Sequence, residues 1–231
     1  MKVAVFGLDT VSLGKESLSD ERLTRLQEIF NSKKNTPIQI ELVDVGQIKD
    51  AEALLSVEAK KLDLILSDQD YVQERLTKDL PLEEKDLFLK CKEALEKEQF
   101  LFQVINPDQQ KFLKGYPLLT TLPIALAKDE DSLDTEILFK LHGMTGRICF
   151  FTAGEKEARA WSLRKGQTAL EAAGCIHSDI QQGFIRAEVM GIEDLFAAGH
   201  YNEAKNQGKL RLENKDYIVQ EGDIILFRFN K

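Results

Sequence analysis

The chain has 231 residues, of which 43% are hydrophobic and 30% charged, and carries a formal net charge of −8. That length holds one large core or two to three small ones, and no apolar run reaches the roughly 20 residues that span a bilayer, so a soluble chain with no membrane partner is expected. Cys91, Cys149 and Cys175 are scattered without the spacing of a disulfide framework or a zinc knuckle, which fits a reducing cytoplasm. Residues 148–231 carry 11 Lys and Arg against 12 Asp and Glu, leaving 20 against 27 in residues 1–147. The acidity therefore lies in the first part, and neither a wholly basic nucleic-acid binder nor a DNA partner is expected.

The apolar stretch in "MKVAVFGLDT" is interrupted too soon for a signal peptide, so export is not expected. "KVAVF" predicts a buried strand. "SDERLTRLQEIFNSKK" predicts a helix that Ser19 or Asp20 can cap, with Leu23, Leu26, Ile29 and Phe30 at helical spacing. "IQIELVDV" predicts a second strand, closing at Asp44 and Gly46, and strand, helix, strand is the start of an α/β sheet. Residues 50 to 103 read as helical throughout. Leu62, Ile65, Leu66, Val72 and Leu76 form one stripe, and Leu87, Cys91, Ala94 and Leu95 another. Pro81 interrupts them, which predicts two long helices in an antiparallel hairpin whose charged faces, with Lys78, Glu83, Glu84 and Glu98, are solvated surface. A helix in "DQQKFLKGY" and a strand in "LLTTLPIALAKDED" return to the α/β layer. From "RICFFTA" onward, the runs "ARAWSL", "FIRAEVM", "DYIVQ" and "DIILFRF" alternate with Gly-bearing turns and one short helix, "TALEAAGCI", as in a compact α+β domain.

"FGLDTVSLGKESL", residues 6–18, comes close to G-x-x-x-x-G-K-[ST], the spacing in which amides and a lysine wrap phosphates and a hydroxyl reaches Mg²⁺. Gly14 and Lys15 fit. Asp9 stands where the first glycine belongs, or Gly7 is that glycine with two extra residues between, and Glu16 replaces the hydroxyl. A carboxylate about 4 Å from a phosphate charge costs roughly 1–4 kcal/mol without a bridging cation, although it could itself hold Mg²⁺. His177 lies near Cys175 and Asp179 in "CIHSD", but no second ligand pair follows, which favours a structural role. His142 and His200 are isolated, and Trp161 reads as a core or interface residue.

From Ile148 to Lys231, the combination of "FFTAGEKEARAW", "AAGCIHSD", "GFIRAE", "KDYIVQ" and "FRFN" closely resembles the C-terminal TGS-type, ubiquitin-like β-grasp domain of the YchF family. These are Obg-related P-loop proteins that prefer ATP to GTP and associate with ribosomes. "LSDERLTRLQEIFNSKKNTPIQIELVDV" resembles the family's segment leading to the switch II aspartate, and "LDLILSDQDYVQERL" the start of its helical hairpin insertion. The resemblance implies an α/β degenerate P-loop-type core at 1–50 and 104–147, a helical hairpin insertion at 51–103, and a C-terminal α+β TGS domain at 148–231.

Measured against that family, a phosphate-loop helix, switch I and a strand are missing between Lys15 and Asp20, the switch after "VDVG" is shortened, and "LPIALAKDED" offers no base-reading asparagine. Gly7, Gly14, Lys15, Glu16, Asp44 and Gly46 then read as vestiges of a nucleotide site. Phosphoryl transfer depends on positioning, so losing several positioners together removes turnover; no catalytic residue, metal or cofactor is expected, with ATP or GTP and Mg²⁺ as the alternative. Related TGS modules in threonyl-tRNA synthetases and stringent-response synthetases meet RNA or ribosome-bound tRNA. By that resemblance Arg159, Arg164, Lys165, His177, Arg186, Lys209 and Arg211 are candidate RNA or partner contacts. The expected function is non-catalytic, cytoplasmic binding to the ribosome or other RNA-containing translation machinery. The alternatives are a residual ATPase or nucleotide-gated switch using Lys15, and a protein-interaction adaptor.

Overall fold

The structure, a computed structural model, describes residues 1–129 and 135–230. In chain order, β1 (Lys2–Val5), β2 (Gly14–Leu18), α1 (Glu21–Phe30), β3 (Asn35–Thr36), β4 (Ile38–Asp44) and β5 (Ala53–Val57) lead into α2 (Lys61–Leu76) and α3 (Leu82–Glu96). There follow α4 (Pro107–Leu113), β6 (Ile124–Ala127), α5 (Thr135–Met144), β7 (Arg147–Ala153) and β8 (Ala158–Arg164). The last elements are α6 (Ala169–Ile176), α7 (Ser178–Gln182), β9 (Phe184–Gly191), α8 (Ile192–Ala198), α9 (Tyr201–Asn206), β10 (Arg211–Glu213) and β11 (Asp223–Phe229). They divide into two units, Met1–Glu16 with Gln39–Thr145, and Ser17–Ile38 with Gly146–Lys231. Among the described residues no helix is long and apolar enough to cross a membrane.

The first unit is built on a five-stranded sheet in the order β2-β4-β1-β5-β6, with β1 parallel to β4 and β5, and β5 parallel to β6. β5 corrects the expectation of helix from residue 50. Its "ALLSV" run is buried at every position, and a short run buried on both faces has no period by which to tell strand from helix. β6 is shorter than "LLTTLPIALAKDED", and the Glu130 and Asp131 of that stretch lie outside the described residues.

The expected stripe of α2 is also corrected, because Leu62 and Leu66 are each 53% exposed. The buried face is Leu64, Ile65, Asp68 and Val72, packed with Phe88, Cys91, Ala94 and Leu95. It passes through a carboxylate, which counting apolar residues rejects. Asp68 accepts the amides of Leu119 and Thr120, each at 2.8 Å, and the Thr120 hydroxyl at 2.6 Å. Burial pushes its pKa up and these donors oppose the shift. Each donor left unsatisfied would cost about 1–3 kcal/mol, so the carboxylate fixes α2 to the turn at Leu119–Thr121. Pro81 precedes α3, and Arg75 reaches across the connection to Glu84 at 2.7 Å. Glu84, expected on a solvated face, also accepts the Tyr116 hydroxyl at 3.0 Å and ties the two helices to the chain after α4.

The second unit has a six-stranded sheet in the order β10-β9-β11-β7-β8-β3. β7 and β11 are parallel, each is antiparallel to its outer neighbour, β8 or β9, and β3 is parallel to β8. One face carries α6, whose Ala169, Ala172 and Ala173 pack on Phe150, Leu163, Val189 and Ile225. Thr168 and Glu171 close its N-terminus as a capping box. The "DYIVQ" segment, expected as a strand, contributes only an isolated bridge between Ile218 and Thr168, while Arg211–Glu213 form the edge strand instead.

Residues 17–38, expected in the first domain, lie in this second unit. Asp20 caps α1 by accepting the Arg22 amide, and the helix buries Leu23 and Leu26. The Arg22 guanidinium lies 5.1 Å from the Phe151 ring centroid and bonds both Asp20, at 2.8 Å, and Glu221, at 2.6 Å. Burial opposes its charge, and the two carboxylates more than offset that, raising its pKa further. The second Glu221 oxygen accepts the Cys149 amide at 2.8 Å. Arg25 covers the Phe196 ring at 4.2 Å, the Ser32 hydroxyl donates to the Gly154 carbonyl at 2.6 Å, and Thr36 bonds Glu157. Asp20 apart, these partners are distant in sequence, which is why the helix could be read and its location could not.

Arg22→Ala should therefore loosen α1 from β7. Burial and the neighbouring Glu221 push the Cys149 thiol up to about 12, so it is unreactive beneath this contact. In a Cys175→Ser background, Arg22→Ala is expected to cost about 1–2 kcal/mol in chemical denaturation, because the pair is partly exposed. Labelling of Cys149 by a disulfide reagent should accelerate several-fold, while Cys91 stays protected. An unchanged midpoint with unchanged labelling would contradict the assignment of α1 to this unit.

Candidate functional site

Open α/β sheets take ligands at the carboxyl ends of their strands, where the strand order reverses. With β4 on one side of β1, and β5 and β6 on the other, that point lies between β1 and β5. Val5 registers with Asp44 and with Leu55, so the segment after β1 emerges there. It is pinned to β5: the Phe6 amide donates to the Leu55 carbonyl at 2.9 Å, and the Ser56 hydroxyl to the Phe6 carbonyl at 2.8 Å. Gly7 has φ +69°, which glycine adopts without strain. A Cβ at Gly7 would stand 2.6 Å from Lys60 Cγ, so the lysine stem already occupies the space over the glycine, and its ammonium bonds Asp63 at 2.9 Å.

Beyond Gly7 the chain turns, with the Val11 amide 3.3 Å from the Leu8 carbonyl, and enters β2 with no helix between. A phosphate loop works because its amides converge at the N-terminus of the helix that follows. Here Gly14, Lys15 and Glu16 belong to a strand at the edge of the sheet, Lys15 is exposed, and Gly7 and Gly14 bracket a turn. Asp44 folds its carboxylate back on its own turn, accepting the Gly46 amide at 2.7 Å. A nucleoside triphosphate with Mg²⁺, held as G-x-x-x-x-G-K-[ST] holds it, does not fit these residues. Among the described residues no three His, Cys, Asp or Glu side chains group as a metal site.

The seven candidate contact residues of the second unit do not converge on one patch. Arg159 lies on β8 with its guanidinium 4.1 Å from the centre of the Trp161 ring. That ring stacks on Phe150, and its indole nitrogen donates to Thr152 at 3.0 Å. Arg164 ends the same strand opposite Arg147, with Lys165 next in the turn. His177 caps α7, its Nδ1 accepting the Asp179 amide at 3.1 Å. Lys209 pairs with Asp194 at 2.9 Å. Arg211, on the far edge of the sheet, donates to the Tyr217 hydroxyl at 3.0 Å, and that hydroxyl donates to Asp223 at 2.8 Å. Burial pushes Asp223 up, opposed by the Gln220 amide and Tyr217. Arg186 projects from β9 opposite Arg228. Arg228 and its partner Glu188 carried no signal in the sequence, because only strand register brings them to Arg186.

Two sheets, one open and largely parallel, one mixed around a parallel pair, define an α/β protein joined to an α+β unit. The family model YchF-GTPase_C, described as "Protein of unknown function (DUF933)", matches residues 148–230. The chain is 29% identical to the "Ribosome-binding ATPase YchF" of Bacillus subtilis, over 95% of this chain and 89% of that protein. That alignment spans 327 positions, more than the 231 residues here, so the relative carries segments this chain lacks. The protein of the same name from Haemophilus influenzae is 57% identical over 81 residues, 35% of this chain and 22% of that one. In fold, the chain is similar to the structure of the Schizosaccharomyces pombe YchF GTPase, with a TM-score of 0.72 at 18% identity, covering 99% of this chain and 97% of that one. The chain belongs to the YchF family.

Gly7 and Lys15 should respond unequally to substitution. Gly7→Ala forces a side chain into a left-handed backbone and against Lys60, and is expected to lower stability by about 1–2 kcal/mol. Lys15→Ala, on an exposed strand position, is expected to change it by less than about 0.5 kcal/mol. Urea denaturation of both variants checks this; a Lys15→Ala penalty as large as that of Gly7→Ala would show Lys15 to be held in a site.

Proposed function

We propose that this chain is a ribosome-associated YchF-family protein that works without hydrolysing nucleotide, its second unit being a TGS-type β-grasp module that makes the contact. The observation that carries this is the path from Lys2 to Leu18, strand, turn, strand, with Lys60 packed on Gly7 where a phosphate cradle would open. The vestigial residues Gly7, Gly14, Lys15, Glu16, Asp44 and Gly46 then have no nucleotide to position, and no cofactor is required. The β-grasp reading draws support from the parallel β7 and β11 pair flanked by antiparallel β8 and β9, with α6 across one face. The ribosome as partner is taken from the printed names of the relatives, and with it a cytoplasmic location. The exposed face of α2 and α3 offers a second contact surface, and the basic side chains of the second unit would meet phosphates.

A second reading, a residual nucleotide-gated switch, is favoured by the word ATPase in those same names. One paired experiment separates the two. Sedimentation with ribosomes should find the chain in the ribosomal fraction at low salt without nucleotide, and less of it at moderate salt, as counterion release requires. Calorimetry with ATP or GTP and Mg²⁺ should give no heat, and neither nucleotide should raise the Tm, since a ligand stabilises the state it binds. Absence from every ribosomal fraction at both salts would overturn the proposal, and a nucleotide heat abolished by Lys15→Ala would replace it with the switch.

A further inference from the structure

The half of the second sheet formed by β10, β9 and β11 presents an unusual row of side chains on the face opposite α6. Antiparallel register sets Arg186 directly opposite Arg228, and Glu188 opposite Leu226 on one side and Leu212 on the other. Directly opposed side chains point to the same face, and like charges so placed are destabilising. Arg228 is bonded to Glu188, a nearly buried carboxylate, so one of the two positive charges is neutralised within the sheet. The Arg186 side chain is exposed and has no hydrogen bond or ion pair among the described residues. Beside the arginines, Leu226 is 56% and Leu212 64% exposed. A groove of about 350 Å³ continues the face, lined by Phe30, Met190, Tyr201, Leu210, Leu226 and Glu188. Tyr201 is held there by the Phe30 ring, 5.5 Å away.

We propose that this face is a single-stranded RNA platform, with Arg186 on a backbone phosphate, Arg228 held beside it by Glu188, and bases resting on Leu226 and Tyr201. This rests on the proposed association with the ribosome and names the surface that would serve it. Charge complementarity selects the occupant: of the two opposed arginines, Arg228 is paired with the internal carboxylate of Glu188, and Arg186, uncompensated, faces solvent beside apolar and aromatic groups. A phosphodiester strand supplies an anion for the first and a flat apolar face for the second, which is how sequence-tolerant strand binding is built. Arg186 thus costs the fold a cross-strand repulsion and is retained for what it binds.

The test is fluorescence anisotropy of a fluorescein-labelled oligouridylate of about 12 nucleotides with the full chain, over a series of salt concentrations, alongside ribosome sedimentation. Arg186→Ala is expected to weaken oligonucleotide binding about fivefold to tenfold at low salt and to flatten the salt dependence by about 0.7 in the log-log slope, with Arg186→Lys restoring most of both. The Tm of Arg186→Ala should equal or exceed that of the parent, since repulsion is relieved; weakened binding with a lowered Tm would show a structural residue and overturn the proposal. Equal affinity and slope for Arg186→Ala, while the parent still sediments with ribosomes, would overturn this surface and leave the association standing. Failure of the parent to sediment at all would overturn the association itself. Polyglutamate that displaces the oligonucleotide from the parent, but not from Arg186→Ala, would assign the face to an acidic polypeptide instead.

Discussion

The Arg22 guanidinium holds three things at once: the Asp20 cap of its own helix, the Glu221 carboxylate that also accepts the Cys149 amide, and the face of Phe151. Through that junction α1 becomes part of the sheet unit that begins again at Gly146. The consequence reaches the other unit. With α1 and β3 committed there, the chain between β1 and β4 supplies the first sheet with β2 alone, and no helix follows β1 to gather amides around an anion. The distribution of one helix thus sets a fold with the open α/β strand order beside a loop that has no helix N-terminus behind it.

What remains at the carboxyl edge is internally satisfied. Ser56 and Leu55 hold Phe6, Lys60 lies on Gly7 and pairs with Asp63, and Asp44 caps its own turn through Gly46. In the second unit, by contrast, the strand register leaves the Arg186 side chain without a partner among the described residues and two leucines standing on an open sheet face. The difference is one of unspent chemistry: groups that bond within the fold stabilise it, and groups that do not are available to a ligand.

Much of this was legible in the sequence. The short runs "RICFFTA", "FIRAEVM" and "DIILFRF", set between Gly-bearing turns, marked the strands, and the Leu23 and Leu26 spacing marked α1, because these patterns are local properties. β5 escaped because "ALLSV" is apolar at four of its five positions and short. The α2 face escaped because Asp68 is a buried carboxylate satisfied by the Leu119–Thr121 turn. At the candidate site the sequence showed that the glycine spacing was irregular. It could not show that Gly14 and Lys15 lie in a strand, nor that Lys60 covers Gly7, since both depend on how β1, β2 and β5 assemble. The pairing of Arg186 with Arg228 is a matter of register, which no composition or motif encodes.

Contact with the ribosome, on the proposed function, is made by the second unit and not at the carboxyl edge of the first sheet. Hydrogen–deuterium exchange of the chain, free and bound to ribosomes without nucleotide, tests it most directly. The account predicts new protection in peptides covering β9 to β11, with residues 6–16 exchanging as in the free protein; protection confined to residues 6–16 and the turn after Asp44 would contradict it.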